Sequence, residues 1–254
     1  MGPRFVGKSN EIERLHLKCC QRILKVKTNS CNAAVYGELG RYLMFVPRYV
    51  RTIKYWCKLL NTETIILKQL YQQGLTDCIN GHINWVSNVK SLLDMYGFSD
   101  VFISQNVNIK MFPYVFKQRA VDVFIQEWYG SLEGSPVLHE YRQFKTTFEY
   151  EHYLDILTYI HRCVFAKYRI SSHCLRIHSD TYGRNAVPRN ERYSNCCNTF
   201  DIEDLYHFVI VCPHFADLRK TYIKKYYYER PSDFKWLDLL QTNDKTSYLI
   251  LLYI

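Results

Sequence analysis

A chain of 254 residues with 48% apolar side chains is long enough and apolar enough to bury a core as one large or two small domains, which excludes a disordered chain. It has no apolar run the length of a membrane span and no signal-peptide core, so an intracellular protein (nucleus or cytoplasm) is expected, its ten cysteines serving as free thiols or metal ligands. The net charge of +9 is an N-terminal property, because residues 1–60 hold 12 Lys and Arg against three Glu while the remainder carries 21 of each sign.

Residues 9–27 predict an amphipathic helix capped by Ser9 or Asn10. Ile12, Leu15, Cys19, Ile23 and Val26 recur at helical spacing and are expected to face the core. Arg14, Lys18, Arg22 and Lys25 form a cationic ridge on the same helix. A second helix is expected over 46–60, with Pro47 in its first turn and Val50, Ile53, Cys57 and Leu60 facing inward. Its ridge is Arg48, Arg51, Lys54 and Lys58, and no acid accompanies it. Either ridge alone reads as a solvated face; two in succession point to phosphate binding. Between them, Gly37 and Gly40 mark a short helix or turn and not a phosphate loop, since no Lys-Ser/Thr pair follows.

Further helices are predicted over 64–73 (stopped by Gly74), 83–96 (stopped by Gly97), 112–132, 137–147 and 151–168, the last packing on Leu154, Leu157, Ile160 and Val164. Gly130 to Pro136 is the expected internal linker. Residues 153–192 hold seven Lys and Arg against three acids, a second basic patch, with His173 read as a polar surface residue. Pro213 should open another helix, followed by short helices after Ser232 and Asn243, and 248–254 reads as the packed edge of the core or as an exposed scar where a longer protein was cut. The fold class is therefore mainly α, a bundle-like assembly of helices with a small Cys/His loop near the C-terminus. A basic segment 1–62, a helical connector 63–133 and a C-terminal region 134–254 are its expected parts.

The Cys/His loop lies within 189–219. Cys197 is followed by nine residues and His207, and His207 by four residues and Cys212. Two thiolates and an imidazole at short loop spacings suit Zn²⁺, which takes four sulfur or nitrogen ligands in a tetrahedral shell. Cys196 is the nearest candidate fourth ligand, although neighbours in extended chain point to opposite sides; His214 or water are the others.

These residues also carry a family resemblance. Glu203-Asp204, His207, Cys212-Pro213 and Arg219 resemble the zinc-binding tail that follows the reverse transcriptase domain of non-LTR (LINE-type) retrotransposon polyproteins. Ile12-Glu13-Arg14-Leu15-His16-Leu17, the stretch from Asn32 to Arg41, and Ile53-Lys54-Tyr55-Trp56 are similar to the segment after the palm of those polymerases. The resemblance covers about residues 9–240. It implies that Arg189 and Arg192 form a basic lead-in and that Cys197, His207 and Cys212 fill three ligand positions. It also places the first Cys of a Cys-x-x-Cys pair at position 194, where this chain has Ser194. RNA or DNA, and a parent polymerase domain in cis, are the partners it implies.

Chemistry is sparse. No Tyr/Phe-x-Asp-Asp motif supplies the paired aspartates of a polymerase, and no nuclease constellation stands out, so no catalytic residue is expected. The function expected is nucleic-acid binding in aid of an absent polymerase. The alternative is a catalytically silent structural or protein-interaction remnant that binds neither metal nor nucleic acid.

Overall fold

The computed structural model describes residues 9–179 and 186–241. The expected helix after Asn243 and the apolar C-terminal residues lie outside them. The described chain is mainly α-helical, with two isolated antiparallel bridges, Leu39 to Tyr150 and Tyr193 to Ile202, and no strand. The longer helices come first: α1 (Ser9–Leu24), α2 (Asn32–Glu38), α3 (Phe45–Leu60), α4 (Ile65–Ile79), α5 (Trp85–Met95), α6 (Ser99–Ser104) and α7 (Phe112–Glu133). Shorter ones follow: α8 (Tyr141–Phe144), α9 (Tyr153–Ile156), α10 (Tyr159–Arg169), α11 (Arg176–Ser179), α12 (Ala216–Tyr222), α13 (Lys225–Tyr228) and α14 (Asp233–Gln241). The chain divides into two compact units. One comprises the residues up to His16 with Tyr42–Trp128; the other comprises Leu17–Arg41 with the residues from Tyr129 onward. The basic segment 1–62 is thus shared between units, and α7 runs through Gly130 to Glu133, where the linker was expected to begin.

In the first unit, α3 buries Val50, Ile53, Trp56 and Cys57, as its period requires. Helix α3 packs on α5, where Val89 and Leu93 are buried, and its Trp56 ring lies 6.2 Å from that of Phe112 at the start of α7. The indole of fully buried Trp56 donates to Tyr71 Oη at 2.9 Å, and Tyr71 donates onward to Gln105 Oε1 at 2.5 Å, so the polar edge of this core is satisfied. Helix α4 passes the expected stop at Gly74 and continues to Ile79. Gly74 is a contact point instead: a Cβ there would meet Val86 Cγ2 at 2.9 Å. The stop is Gly81, whose φ of +85° suits glycine, with His82 N–H returning to Asp77 O. Gly97 ends α5 as expected.

Helix α1 is rotated relative to the sequence reading. Ile12, Leu15 and Ile23 are 53%, 63% and 48% exposed, and Cys19 is exposed, whereas Cys20, Gln21 and Leu24 are buried. Leu17, Cys20 and Leu24 make an equally regular apolar stripe, and a polar anchor favours it. Glu13 accepts hydrogen bonds from Met44 N–H (3.1 Å) and Phe45 N–H (2.8 Å), meeting two orphan donors at the positive end of α3. The helix stops at Leu24 because Lys25 turns left-handed (φ 53°), with Val26 N–H bonding back to Gln21 O.

The second unit is built around charge as well as apolar packing. Residues expected as one helix over 151–168 form α9 and α10, separated by extended Leu157 and Thr158. The break shifts the buried face of α10 to Cys163, Phe165, Ala166 and Arg169, leaving Ile160 71% exposed. The helix expected over 137–147 is a 3₁₀ turn at Pro136–Leu138 followed by α8. Arg169, 4% exposed, donates through Nε to both Glu38 carboxylate oxygens (3.2 and 3.0 Å), and its Nη2 meets Glu151 at 2.9 Å. Glu38 is fully buried and also accepts Tyr153 Oη–H at 2.6 Å. Arg169 Nη1 donates to Leu240 O at 2.9 Å, Lys145 pairs with Glu151, and the guanidinium lies 4.6 Å from the Phe144 ring centroid. A buried ion pair survives only when its remaining donors and acceptors are met. These are.

Candidate metal centre and cationic surfaces

Two short backbone devices build the metal loop. The bridge between Tyr193 and Ile202 closes a hairpin, with Ser194 N–H on Asp201 O (2.9 Å) and Glu203 N–H on Arg192 O (2.8 Å), so Cys197 sits in its tip. A wide π-helical turn over His207–Val211 then carries Cys212 N–H back to His207 O at 2.7 Å. Asp204 Oδ1 accepts from His207 N–H at 2.7 Å and fixes the start of that turn. Arg219 holds its end, donating from Nε to Val209 O (2.8 Å) and from Nη2 to Cys212 O (2.6 Å).

These devices bring Cys197, His207 and Cys212 together, their ligand atoms all within 4.8 Å of one another. Cys197 Sγ lies 3.3 Å from His207 Nε2. A tetrahedral ion with a metal–sulfur bond of about 2.3 Å and a metal–nitrogen bond of about 2.0–2.1 Å would hold the two atoms about 3.5 Å apart. His207 is 4% and Cys212 1% exposed, so the group is anchored in the fold and Cys197 closes it from the loop. His207 Nδ1 is buried with no hydrogen-bond partner, and Asp201 Oδ2 stands 3.5 Å away. A metal-bound imidazole directs its other nitrogen to such a carboxylate. The soft donor set, its convergence and this orphaned nitrogen fit a metal ion.

Cys196 is exposed and stands outside the group, because the bend through 195–199 that brings Cys197 to His207 leaves its neighbour toward solvent. His214 is exposed too, with its ring 4.8 Å from that of Phe215. Ser194 Oγ accepts from Cys196 N–H at 3.2 Å and lies near enough to Cys197 to help lower its pKa, so position 194 stands beside the group. Thr199 and Asp201 escaped the sequence reading. The signal was there, a hydroxyl and a carboxylate two and four residues beyond Cys197, but polar loop residues of this kind are common.

The Thr199 hydroxyl, 3.2 Å from Cys197 Sγ, and then the Thr199 backbone pull the Cys197 pKa down to about 6. Burial pushes the Cys212 thiol up, and pushes buried Cys57 to about 11. One ligand is therefore ready as thiolate at neutral pH. In chelator-treated protein, iodoacetamide should label Cys197 at a rate that climbs through about pH 6 and levels off by about pH 8, while Cys57 stays unlabelled. Peptide mass spectrometry reads both sites; a Cys197 rate that rises only above pH 8 would contradict the assignment.

The nucleic-acid candidates separate into two kinds. Arg14, Lys18, Arg22, Lys25, Arg48, Arg51, Lys54, Lys58 and Arg189 are all exposed. Arg14 has Glu11 at 3.9 Å, a loose surface pair of little worth, and Arg48 lies over the Tyr49 ring at 5.3 Å. Arg192 is half-buried and braces the loop instead, donating to Val187 O (2.9 Å) and Ile177 O (2.6 Å). His173, read as a surface residue, is 8% exposed, because the end of α10 folds the chain back over it. No helix among the described residues is long and apolar enough to cross a membrane. Comparison with known protein families, with curated proteins and with solved structures finds no match.

Proposed function

We propose that the chain binds nucleic acid as the region that follows the palm, with its zinc-binding tail, in a non-LTR retrotransposon reverse transcriptase, and that it lacks the polymerase's own catalytic aspartates. The observation that carries this reading is the exposure of every residue of the two ridges on α1 and α3. Helix α3 has no acidic residue in its sixteen, so its four cations face solvent without internal compensation. Linear arrays of this kind attract phosphates by releasing counterions from the nucleic acid. The metal group adds a small ordered loop beside the basic lead-in residue Arg189, and zinc is the ion its donors suit best. A polymerase domain supplied in cis would perform the chemistry.

Changing Arg14, Lys18, Arg22, Arg48, Arg51 and Lys54 to Gln should weaken binding to single-stranded RNA and to DNA duplex alike. Each lost phosphate contact should reduce the slope of log K against log salt by about 0.7–0.9. Fluorescence anisotropy at several salt concentrations measures this. If the parent protein binds neither polymer at low salt, the remnant reading replaces this one; an unchanged slope removes the ridges from the footprint.

A further inference from the structure

The second unit contains a polar cavity of about 240 Å³ that belongs to neither the metal group nor the ridges. Its floor is the end of α10. That helix closes with Ser171 in the left-handed conformation (φ 58°), a position where glycine is usual, and Ser172 N–H reaches back to Lys167 O at 2.7 Å. The reversal turns Ser172 and His173 inward, 5% and 8% exposed. Strain of this kind in an L-residue persists only where the surroundings hold it. Lys27 Nζ donates to His173 O at 2.9 Å, and Lys27 N–H donates to Ser172 Oγ at 3.1 Å, tying the opposite wall to the floor.

The lining is rich in hydrogen-bond donors. Ser172 Oγ accepts from Lys27 N–H and from Ser30 Oγ (2.9 Å), so its own hydroxyl proton is left to give away. His173 Nδ1 accepts Leu175 N–H at 3.2 Å, which leaves the ring proton on Nε2 as a donor. The His178 ring lies 4.9 Å from it, and Asn29 completes the group. The Lys27 ammonium spends one of its three donors on His173 O and pairs with no carboxylate among the described residues. No Asp or Glu lines the cavity among the described residues.

We infer that this cavity is a binding site for a phosphate-class oxyanion, held by the Lys27 ammonium and the Ser172 hydroxyl with His173 and His178 beside them. An oxyanion is the ligand that several converging donors, one full positive charge and no carboxylate would select. Burial, reinforced by the charge of Lys27 near His173 and of Arg189, Arg192 and Lys27 near His178, holds both imidazoles neutral, their pKa values lowered to about 3 and about 4. The full positive charge at the cavity is the Lys27 ammonium, with Arg189 and Arg192 near enough to act on His178, and a dianion would answer it. The volume corresponds to about eight waters at roughly 30 Å³ each, enough for a phosphate with part of its hydration or an attached sugar. This inference stands apart from the nucleic-acid reading.

Titration calorimetry of the full chain with inorganic phosphate tests it. Binding in the low millimolar range or tighter is expected, weakened at least tenfold by Lys27→Met and abolished by Asn29→Asp, which places a carboxylate on an exposed wall residue and leaves the core untouched. The six-residue ridge variant should bind phosphate as the parent does. No heat with phosphate, or equal affinity in the parent and in both folded cavity variants, overturns the site. Oligonucleotides with and without a 5′-phosphate separate the sources. A Lys27-dependent preference for the phosphorylated end assigns the cavity to a nucleic-acid terminus, and equal binding assigns it to free phosphate or a small ester.

Discussion

Arg169→Leu should cost about 3–5 kcal/mol of folding stability, since removing one partner leaves the buried Glu38 carboxylate without its counter-charge. Tyr153 Oη would remain on Glu38, and one neutral donor cannot replace two charged hydrogen bonds. The same substitution strands Leu240 O and leaves Glu151 with Lys145 alone. A double substitution, Glu38→Leu with Arg169→Leu, should recover part of the loss, because the buried charge then goes with its partner. Urea unfolding of the parent, both single variants and the double variant forms a complete cycle. A loss below about 1 kcal/mol for Arg169→Leu would mean that water reaches Glu38 and that the pair is not what holds this unit.

The second large effect is on metal affinity. A complete structural zinc site contributes about 10–16 kcal/mol of apparent binding energy in small peptides at neutral pH, and a three-ligand site falls well short of that. Ser194→Cys puts a thiol beside Cys197, at the position the resemblance gives to the first Cys of the pair. Zinc binding should tighten by orders of magnitude, as read by competition with a chromophoric chelator. Cys197→Ala should abolish binding, whereas Cys196→Ala, at an exposed thiol outside the group, should change little. Chelation should loosen the loop at 190–212 and leave the helices folded, because their cores are apolar or internally paired. Parent protein that already holds one zinc as tightly as Ser194→Cys would show that a fourth ligand comes from elsewhere. If no variant binds zinc, the group is a relic.

Local signals were readable. The period of α3 and the spacing of Cys197, His207 and Cys212 depend on neighbours in sequence, and the structure keeps both. What depends on distant neighbours was not. Glu38 and Arg169 stand 131 residues apart, and nothing local distinguishes either from a solvated charge. The face of α1 was ambiguous between two stripes, and the choice rests on Glu13 reaching the start of α3. Gly74 looked like a helix stop because glycine usually is one; only the approach of Val86 explains it inside a helix. His173 read as a polar surface residue, and only the left-handed turn at Ser171, which folds it and Ser172 inward, explains its burial.

The wide turn at His207–Val211 makes the two halves of the metal loop unequal in their tolerance of length change. In an ordinary α-helix, at about 100° per residue, positions five apart diverge by about 140°, and His207 and Cys212 would face away from each other. The extra residue in the turn cancels that divergence. Regularising the turn at its present length would therefore part the two ligands, whereas loss of one residue would leave them four apart, about 40° from each other and still on one face. The hairpin tip on the other side, with Cys197 exposed to rearrangement, can absorb an insertion. The loop before His207 can thus lengthen, while the segment after it keeps its ligands together either as the wide turn of five residues or as a regular turn shortened by one.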